Sequence, residues 1–216
     1  MPRPIGIFGG TFDPIHHGHL RAALEVAEAL ALATVRFVPC GVPPHRAAPH
    51  APAGERRSLI VEAIADEARF ALDARELERT GPSYTVDTLR ELRAELGARQ
   101  PLVLLVGADA CAGLERWHRW RELFELAHLA RLARPGAAAV PPGALAAELD
   151  RRRTSDAARF ATAPAGAVWE QALTALDISS SELRARLARG ASVRYLVPDR
   201  IIGSLSSGSY RPVREA

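Results

Sequence analysis

The chain has 216 residues, 48% of them hydrophobic and 25% charged, with a formal net charge of +3. That length supports one sizeable core and is short for two, and no apolar run approaches the roughly 18 residues of a membrane-spanning helix. The sequence contains no lysine, so all 28 basic residues are arginine, which excludes a lysine Schiff base and a Walker A loop.

Ile5 to Phe8 reads as a short buried strand. Gly18 to Ala33 follows as a helix with Leu20, Leu24, Ala27 and Leu30 on one face. Val35 to Val38 is a second strand. Residues 40–54, rich in Pro, Gly and Ala, form a loop. Glu55 to Glu67 is helical and Arg69 to Leu72 a strand. Thr85 to Leu96 is an amphipathic helix, with Val86, Leu89, Leu92 and Leu96 aligned. Leu102 to Val106 is an aliphatic run of the kind buried on both faces of a sheet. Leu114 to Leu126 reads as largely helical, His128 to Ala133 as a strand and residues 135–143 as a loop. A helix covers Ala144 to Arg152, and Val168 marks a weak strand. Ser180 to Arg189 is a helix stopped by Gly190, and a last helix begins near Asp199. Strands alternating with helices define an α/β class with a parallel sheet covered on both faces, in a single domain.

Cys40 and Cys111 read as reduced thiols. No Cys-x-x-Cys pair suggests structural zinc, and no signal peptide opens the chain, so a cytoplasmic location is expected. The arginines alternate with acids, as in Glu76–Arg79 and Arg90–Glu91. The one tight run, Arg151 to Arg153, reads as a solvated surface. No nucleic-acid or membrane partner is expected.

In a parallel α/β sheet, ligands bind beyond the carboxyl ends of the strands. This singles out residues 9–19, 39–46 and 107–120. The first of these reads GGTFDPIHHGH. Gly9 and Gly10 let a ligand approach the main chain, and the following helix aims its free N–H groups at the same place, an arrangement that suits an anion. His16 and His19 are three apart, so on a helix they share a face. Both would donate hydrogen bonds to phosphate oxygens, more strongly if protonated. Two other readings stay open: a metal site of Asp13, His16 and His19, and histidines that merely cap a helix start.

GGTFDPIHHGH (9–19) resembles the H-x-G-H signature of the nucleotidyltransferase superfamily. Its longer form is similar to that of the bacterial nicotinate-nucleotide adenylyltransferases. Further blocks follow in family order: VPPHR (42–46), SYT (83–85), Gly107–Ala108–Asp109, Trp117, Arg134–Pro135–Gly136 and ISSSELR (178–184). The resemblance implies a Rossmann-like doubly wound sheet in one domain over residues 1–216, with a C-terminal helical part (about 178–216) that completes the ATP site. It implies adenylyl transfer from ATP to nicotinate mononucleotide, with Mg²⁺ carried in on ATP and no protein metal site.

By the same resemblance, His16, His19 and Arg184 are catalytic. ATP is bound by Gly9, Gly10, Thr11, Phe12, His16, His19, Gly107, Asp109, Ser179, Ser180, Ser181 and Arg184. The acceptor is bound by Thr11, His45, Arg46, Ser83, Tyr84, Thr85, Trp117, His118 and Arg134. One of the three serines also reads as a helix N-cap, and so does Asp109. Trp117 and Trp120 would pack in a helical core if they bound nothing. The chain departs from the family pattern at Cys40, Gly41 and His118, on the acceptor side. Alternative acceptors are nicotinamide mononucleotide and phosphopantetheine, and the alternative class is a nucleotide-sensing protein without catalysis. Oligomeric state is left open, a homodimer among the options.

Overall fold

The computed structural model describes residues 2–44, 47–134, 136 and 139–211. The elements in chain order are β1 (Ile5–Gly10), α1 (His17–Ala29), β2 (Thr34–Pro39), α2 (Ala53–Ile64), β3 (Phe70–Leu72), α3 (Arg75–Glu78), α4 (Thr85–Leu96), β4 (Leu102–Gly107), α5 (Ala108–Ala112), α6 (Leu123–Leu126), β5 (His128–Ala133), α7 (Ala144–Arg152), α8 (Arg159–Thr162), β6 (Val168–Ala172), α9 (Ser180–Ala188) and α10 (Asp199–Ser207). Six strands form one sheet in the order β3-β2-β1-β4-β5-β6. Every pairing is parallel. The order reverses between β1 and β4, so the crevice where ligands collect in such sheets opens beyond Gly10 and Gly107.

Side-chain alternation sends each strand into two cores. Phe8, Val103 and Leu105 join one cluster, together with Leu183, Leu187, Val197, Ile201 and Leu205 of the C-terminal part. Ile7, Leu104 and Val106 join the other, with Val86, Leu89 and Leu92 of α4. The two helices after residue 178 therefore pack on the same face as the aromatic residues that follow β1.

Some elements differ from the sequence expectation. Helix α1 stops at Ala29 rather than Ala33, because Ala31 takes a positive φ of 47° that turns the chain. Its buried face is Ala22, Ala23, Val26 and Ala27, small residues that let the helix lie close to the sheet, while Leu24 is only half-buried. Residues 114–126 are not one helix. A 3-10 turn at Leu114–Arg116 and another at Trp120–Glu122 precede α6. Trp117 between them is extended, and Arg119 is left-handed at φ 54°. That kink brings Leu114, Trp120, Leu123 and Phe124 all into the core. Within the arginine run, Arg152 is not merely solvated: it pairs with Glu148, donates to the Gly166 carbonyl and lies over the Phe124 ring. Arg79 pairs with Glu91, and Arg90 with Glu122 and Asp87.

One histidine belongs to the fold rather than to the crevice. His128 is fully buried at the start of β5. Its Nδ1 accepts from the Ala167 N–H at 3.0 Å, so its Nε2 donates to the Ala163 carbonyl at 2.9 Å. Burial lowers its pKa to about 4, with the bond to Ala163 acting in the opposite direction. The folded pKa lies below the unfolded value, so the unfolded state binds more protons between about pH 4 and 6.5, and stability falls as pH drops through that window. At pH 4 the loss from this site reaches at most about 3 kcal/mol. Urea unfolding between pH 7 and 4.5 is expected to show a shallower pH slope for His128→Asn than for the native chain. Equal slopes would place the acid sensitivity elsewhere.

Candidate active site

The segment after β1 builds a bed of rings under two histidines. Phe12, at φ 48°, turns its side chain back into the protein, where it is 2% exposed. It packs edge-on against Phe8 and His19, with ring centroids 5.6 and 5.0 Å away. His16 is the N-cap of α1 and has extended backbone rather than helical. Its ring stacks on that of His19 with centroids 3.8 Å apart. A Cβ on Gly18 would lie 3.0 Å from the His16 ring, a tight contact that would push that ring from its place.

The Nδ1 atoms of both His16 and His19 are buried and have no hydrogen-bond partner among the described residues. Buried polar atoms are ordinarily paired, so these two mark a site for a ligand. Burial, helped by the positive charge of Arg134, lowers the His16 pKa to about 3. Burial and the neighbouring His16 push that of His19 well below its ordinary value. The protein therefore holds the pair neutral, without the stronger hydrogen bonds that protonated rings would give. Neutral imidazoles still donate one N–H each.

Two arginines arrive from distant segments. Arg134, just past β5, stands by the start of α1: a Cβ on Gly18 would lie 3.6 Å from its Nη2. The sequence reading set it on the acceptor side, but in the fold it neighbours the histidine pair. Arg184 of α9 donates from Nη1 to the Asp13 carbonyl at 2.6 Å and from Nη2 to Ser181 Oγ at 3.2 Å. Ser179 caps α9 by accepting from the Glu182 N–H at 3.2 Å, and Ser180 donates to the Pro14 carbonyl at 3.0 Å. Two of the three serines thus hold α9 and the 13–14 turn in place, and the third steadies Arg184.

On the other side of the crevice, Gly107 caps α5 and Asp109 lies exposed in its first turn. Asp109 is therefore not the cap, and its carboxylate faces outward. Tyr84 caps α4, whose first N–H groups, including that of Thr85, have no acceptor within the helix. The Tyr84 and His118 rings lie 4.6 Å apart, and Trp117 is half-buried against the same cluster as Tyr84. Ser83 is buried, and its Oγ accepts from the Gly41 and Val42 N–H groups at 3.0 and 3.3 Å. It ties the loop after β2 to the start of α4. A Cβ on Gly41 would sit 2.3 Å from the Glu76 carbonyl oxygen, which accounts for glycine there. His45 and Arg46 lie outside the described residues.

Two buried charges, Arg56 and Glu76, had no functional signal in the sequence, and Asp13 had only the open metal reading. The carboxylate of Asp13, which the sequence leaves open as a metal ligand, accepts from the His50 and Ala51 N–H groups and the Tyr210 hydroxyl. Arg56 is buried and donates to the Thr11 and Ala51 carbonyls. Glu76 is buried, accepts from Thr88 at 2.6 Å and has its pKa raised by burial. A buried charge in a helix leaves no periodic trace, because its partners come from other segments. Among the described residues no group of three or more His, Cys, Asp or Glu is placed to hold a metal ion.

A stacked pair of buried histidines at the switch point of a 3-2-1-4-5-6 sheet, beside Arg134, is the candidate functional site. Residues 7–186 match the family model described as cytidylyltransferase-like, and the chain belongs to that family. Over 212 residues it is 48% identical to a protein of Dechloromonas aromatica named "Probable nicotinate-nucleotide adenylyltransferase", a match covering 97% of this chain and 98% of that one. A protein of Halorhodospira halophila with the same name is 50% identical over 199 residues, 92% of this chain and 91% of that one. Among solved structures, the fold is similar to that of Plasmodium falciparum nicotinic acid mononucleotide adenylyltransferase complexed with NaAD. The TM-score is 0.67 at 18% identity, over 94% of this chain and 97% of that one.

Proposed function

We propose that the chain transfers the adenylyl group of ATP to nicotinate mononucleotide, giving nicotinate adenine dinucleotide and pyrophosphate, a step of NAD biosynthesis. The observation that carries this reading is the buried, unpartnered His16–His19 pair beside Arg134, in a chain about half identical along nearly its whole length to proteins of that name.

A phosphate oxygen of the mononucleotide attacks the α-phosphorus of ATP, a P–O bond forms, and the bond to pyrophosphate breaks in line. The nucleophile is already ionised, so no general base is required. Catalysis is positioning together with stabilisation of charge on the transferring group. His16 and His19 donate N–H groups to the phosphate oxygens. Arg134 adds positive charge at the start of α1, alongside any contact it makes to the acceptor phosphate. Arg184 holds the β- and γ-phosphates with Ser181, while Ser179 and Ser180 set α9 so that it can. Gly9, Gly10 and Thr11 let the phosphates approach the main chain, and Phe12 supports His19 from below. Gly107 and Asp109 receive the ribose. On the acceptor side, Trp117 stacks on the pyridine ring, Thr85 and the main chain beside His118 receive its carboxylate, and Tyr84 and Ser83 fix those groups. His45 and Arg46 face the acceptor phosphate. Mg²⁺ enters as part of the ATP substrate, the usual way this ion meets phosphates. The part after residue 178 completes the ATP side of a single domain, and the enzyme works in the cytoplasm. No helix among the described residues is long and apolar enough to cross a membrane.

The test is pyrophosphate release from ATP with nicotinate mononucleotide, nicotinamide mononucleotide or phosphopantetheine. Release with the first, and little with phosphopantetheine, is expected. ATP binding without turnover on any acceptor would point to a sensing protein instead.

Arg184 offers a check on the two halves of the site. Lysine keeps the charge but cannot hold the Asp13 carbonyl and Ser181 together while gripping a phosphate. Arg184→Lys is expected to raise the KM for ATP roughly tenfold and leave that for the acceptor within about twofold. A rise confined to the acceptor would mean that the halves are assigned the wrong way round.

A further inference from the structure

The carboxylate of Asp13 is the meeting point of four chain segments. Its Oδ2 accepts from the His50 N–H at 2.6 Å, and its Oδ1 from the Ala51 N–H at 3.1 Å and the Tyr210 hydroxyl at 2.6 Å. Its backbone carbonyl takes the 2.6 Å bond from Arg184 Nη1, which also lies 3.8 Å from Oδ2 as an ion pair. Asp13 thus transmits the position of the C-terminal segment to the arginine assigned to ATP.

That segment is itself fastened. Tyr210 is 3% exposed and packs in the cluster that contains Phe8, Phe12 and Ile15. Its ring lies 5.5 Å from that of His50. Ser209 donates both its N–H, at 2.9 Å, and its hydroxyl, at 2.5 Å, to the Glu55 carboxylate. Its carbonyl accepts from His50 Nε2 at 3.0 Å. Arg56 closes the far side by holding the Thr11 and Ala51 carbonyls. Residues 209–210, 50–56, 11–14 and 181–184 are therefore one hydrogen-bonded unit, and its only covalent links run through the sheet and the long connections between those segments.

We propose that Tyr210 is a positioning residue for the ATP half of the site: through Asp13 it sets the carbonyl that orients the Arg184 guanidinium. This rests on the adenylyl-transfer reading. A hydrogen bond to a buried carboxylate is among the stronger ones, and losing a donor leaves that carboxylate under-satisfied. Asp13 then has freedom to turn, and Arg184 loses the geometry that lets its two nitrogens meet a phosphate together.

The experiment compares the native chain with Tyr210→Phe, which removes the hydroxyl and keeps the ring. kcat/KM for ATP is expected to fall roughly five- to thirtyfold. The KM for nicotinate mononucleotide should stay within about twofold. The Kd of a non-hydrolysable ATP analogue should rise by a similar factor to the KM for ATP. Asp13→Asn keeps the size of the side chain and serves if Tyr210→Phe does not fold; it should produce the same split. The double variant should be little worse than the more impaired single one, because the Tyr210 bond is one of those that the Asp13 carboxylate makes. Unchanged ATP parameters in a folded Tyr210→Phe protein would overturn the proposal. So would ATP and acceptor parameters falling together as the urea midpoint falls, since that is what a merely structural tyrosine predicts. If the native chain makes no pyrophosphate with any acceptor, the functional reading fails on its own, and the analogue Kd still decides the role of Tyr210.

Discussion

His19→Ala is expected to lower kcat by about 10²–10⁴ while the protein stays folded. The ring has two jobs in the structure. It rests edge-on against Phe12 and stacks at 3.8 Å on His16, and its buried Nδ1 has no hydrogen-bond partner among the described residues. Truncation removes the donor and also loosens the His16 ring above it, so His16→Ala and the double variant should cost little more than the worse single change. Because the protein holds His16 near a pKa of about 3 and His19 well below its ordinary value, kcat/KM has no reason to fall between pH 6 and 8 through loss of an imidazolium. A mechanism that needs a protonated histidine in the free enzyme would instead lose about tenfold per pH unit above roughly 6.5. The measurement is kcat and the pH dependence of kcat/KM for the native chain and His19→Ala, with circular dichroism to show folding. Near-normal turnover in folded His19→Ala, or a steep alkaline loss in the native chain, would defeat this role.

Preference for acid over amide is the second large effect. Nicotinate and nicotinamide mononucleotides differ by a carboxylate against a carboxamide. The start of α4 offers N–H donors that the helix itself leaves without acceptors, and its dipole adds to the attraction for a negative group. An amide would turn its own NH₂ toward one of those donors. Each unpaired polar group in a closed pocket costs about 1–3 kcal/mol. The ratio of kcat/KM for the two mononucleotides should therefore be at least roughly tenfold and reach several hundredfold. Trp117→Ala should raise the KM for the acceptor with less effect on ATP, because Trp117 packs with the α4 cluster and not with the histidine bed. Ser83 holds the loop at 41–42 to the same helix start. Equal use of acid and amide would reject this acceptor and leave adenylyl transfer alone standing.

Local patterns in the sequence determined the strands, the main helices and the glycine and histidine segment after β1. Leu102 to Val106 could be little else than a strand buried on both faces, and one of the three serines at 179–181 could be recognised as a cap from its place before a helical run. These depend on near neighbours along the chain, so the sequence carries them. The packing of the histidines was legible as a fact but not as a geometry: His16 and His19 meet because His16 is an extended cap that folds back over Gly18, not because both sit on a helix face. Likewise the kink at Trp117 and Arg119 depends on where Leu114 and Phe124 must both be buried, which spacing along one helix does not encode.

Charge and contact across segments were decided by the tertiary structure alone. It is burial among Phe8, Phe12 and Arg134 that keeps the histidines neutral, and Arg134 lies more than a hundred residues away in sequence. A metal role for Asp13 stayed open because the sequence shows its type and not its partners; the fold gives its carboxylate to His50, Ala51 and Tyr210. A hydrogen bond between residues 197 positions apart has no local signature, since its energy depends on both groups being taken out of water together, and only the folded chain does that.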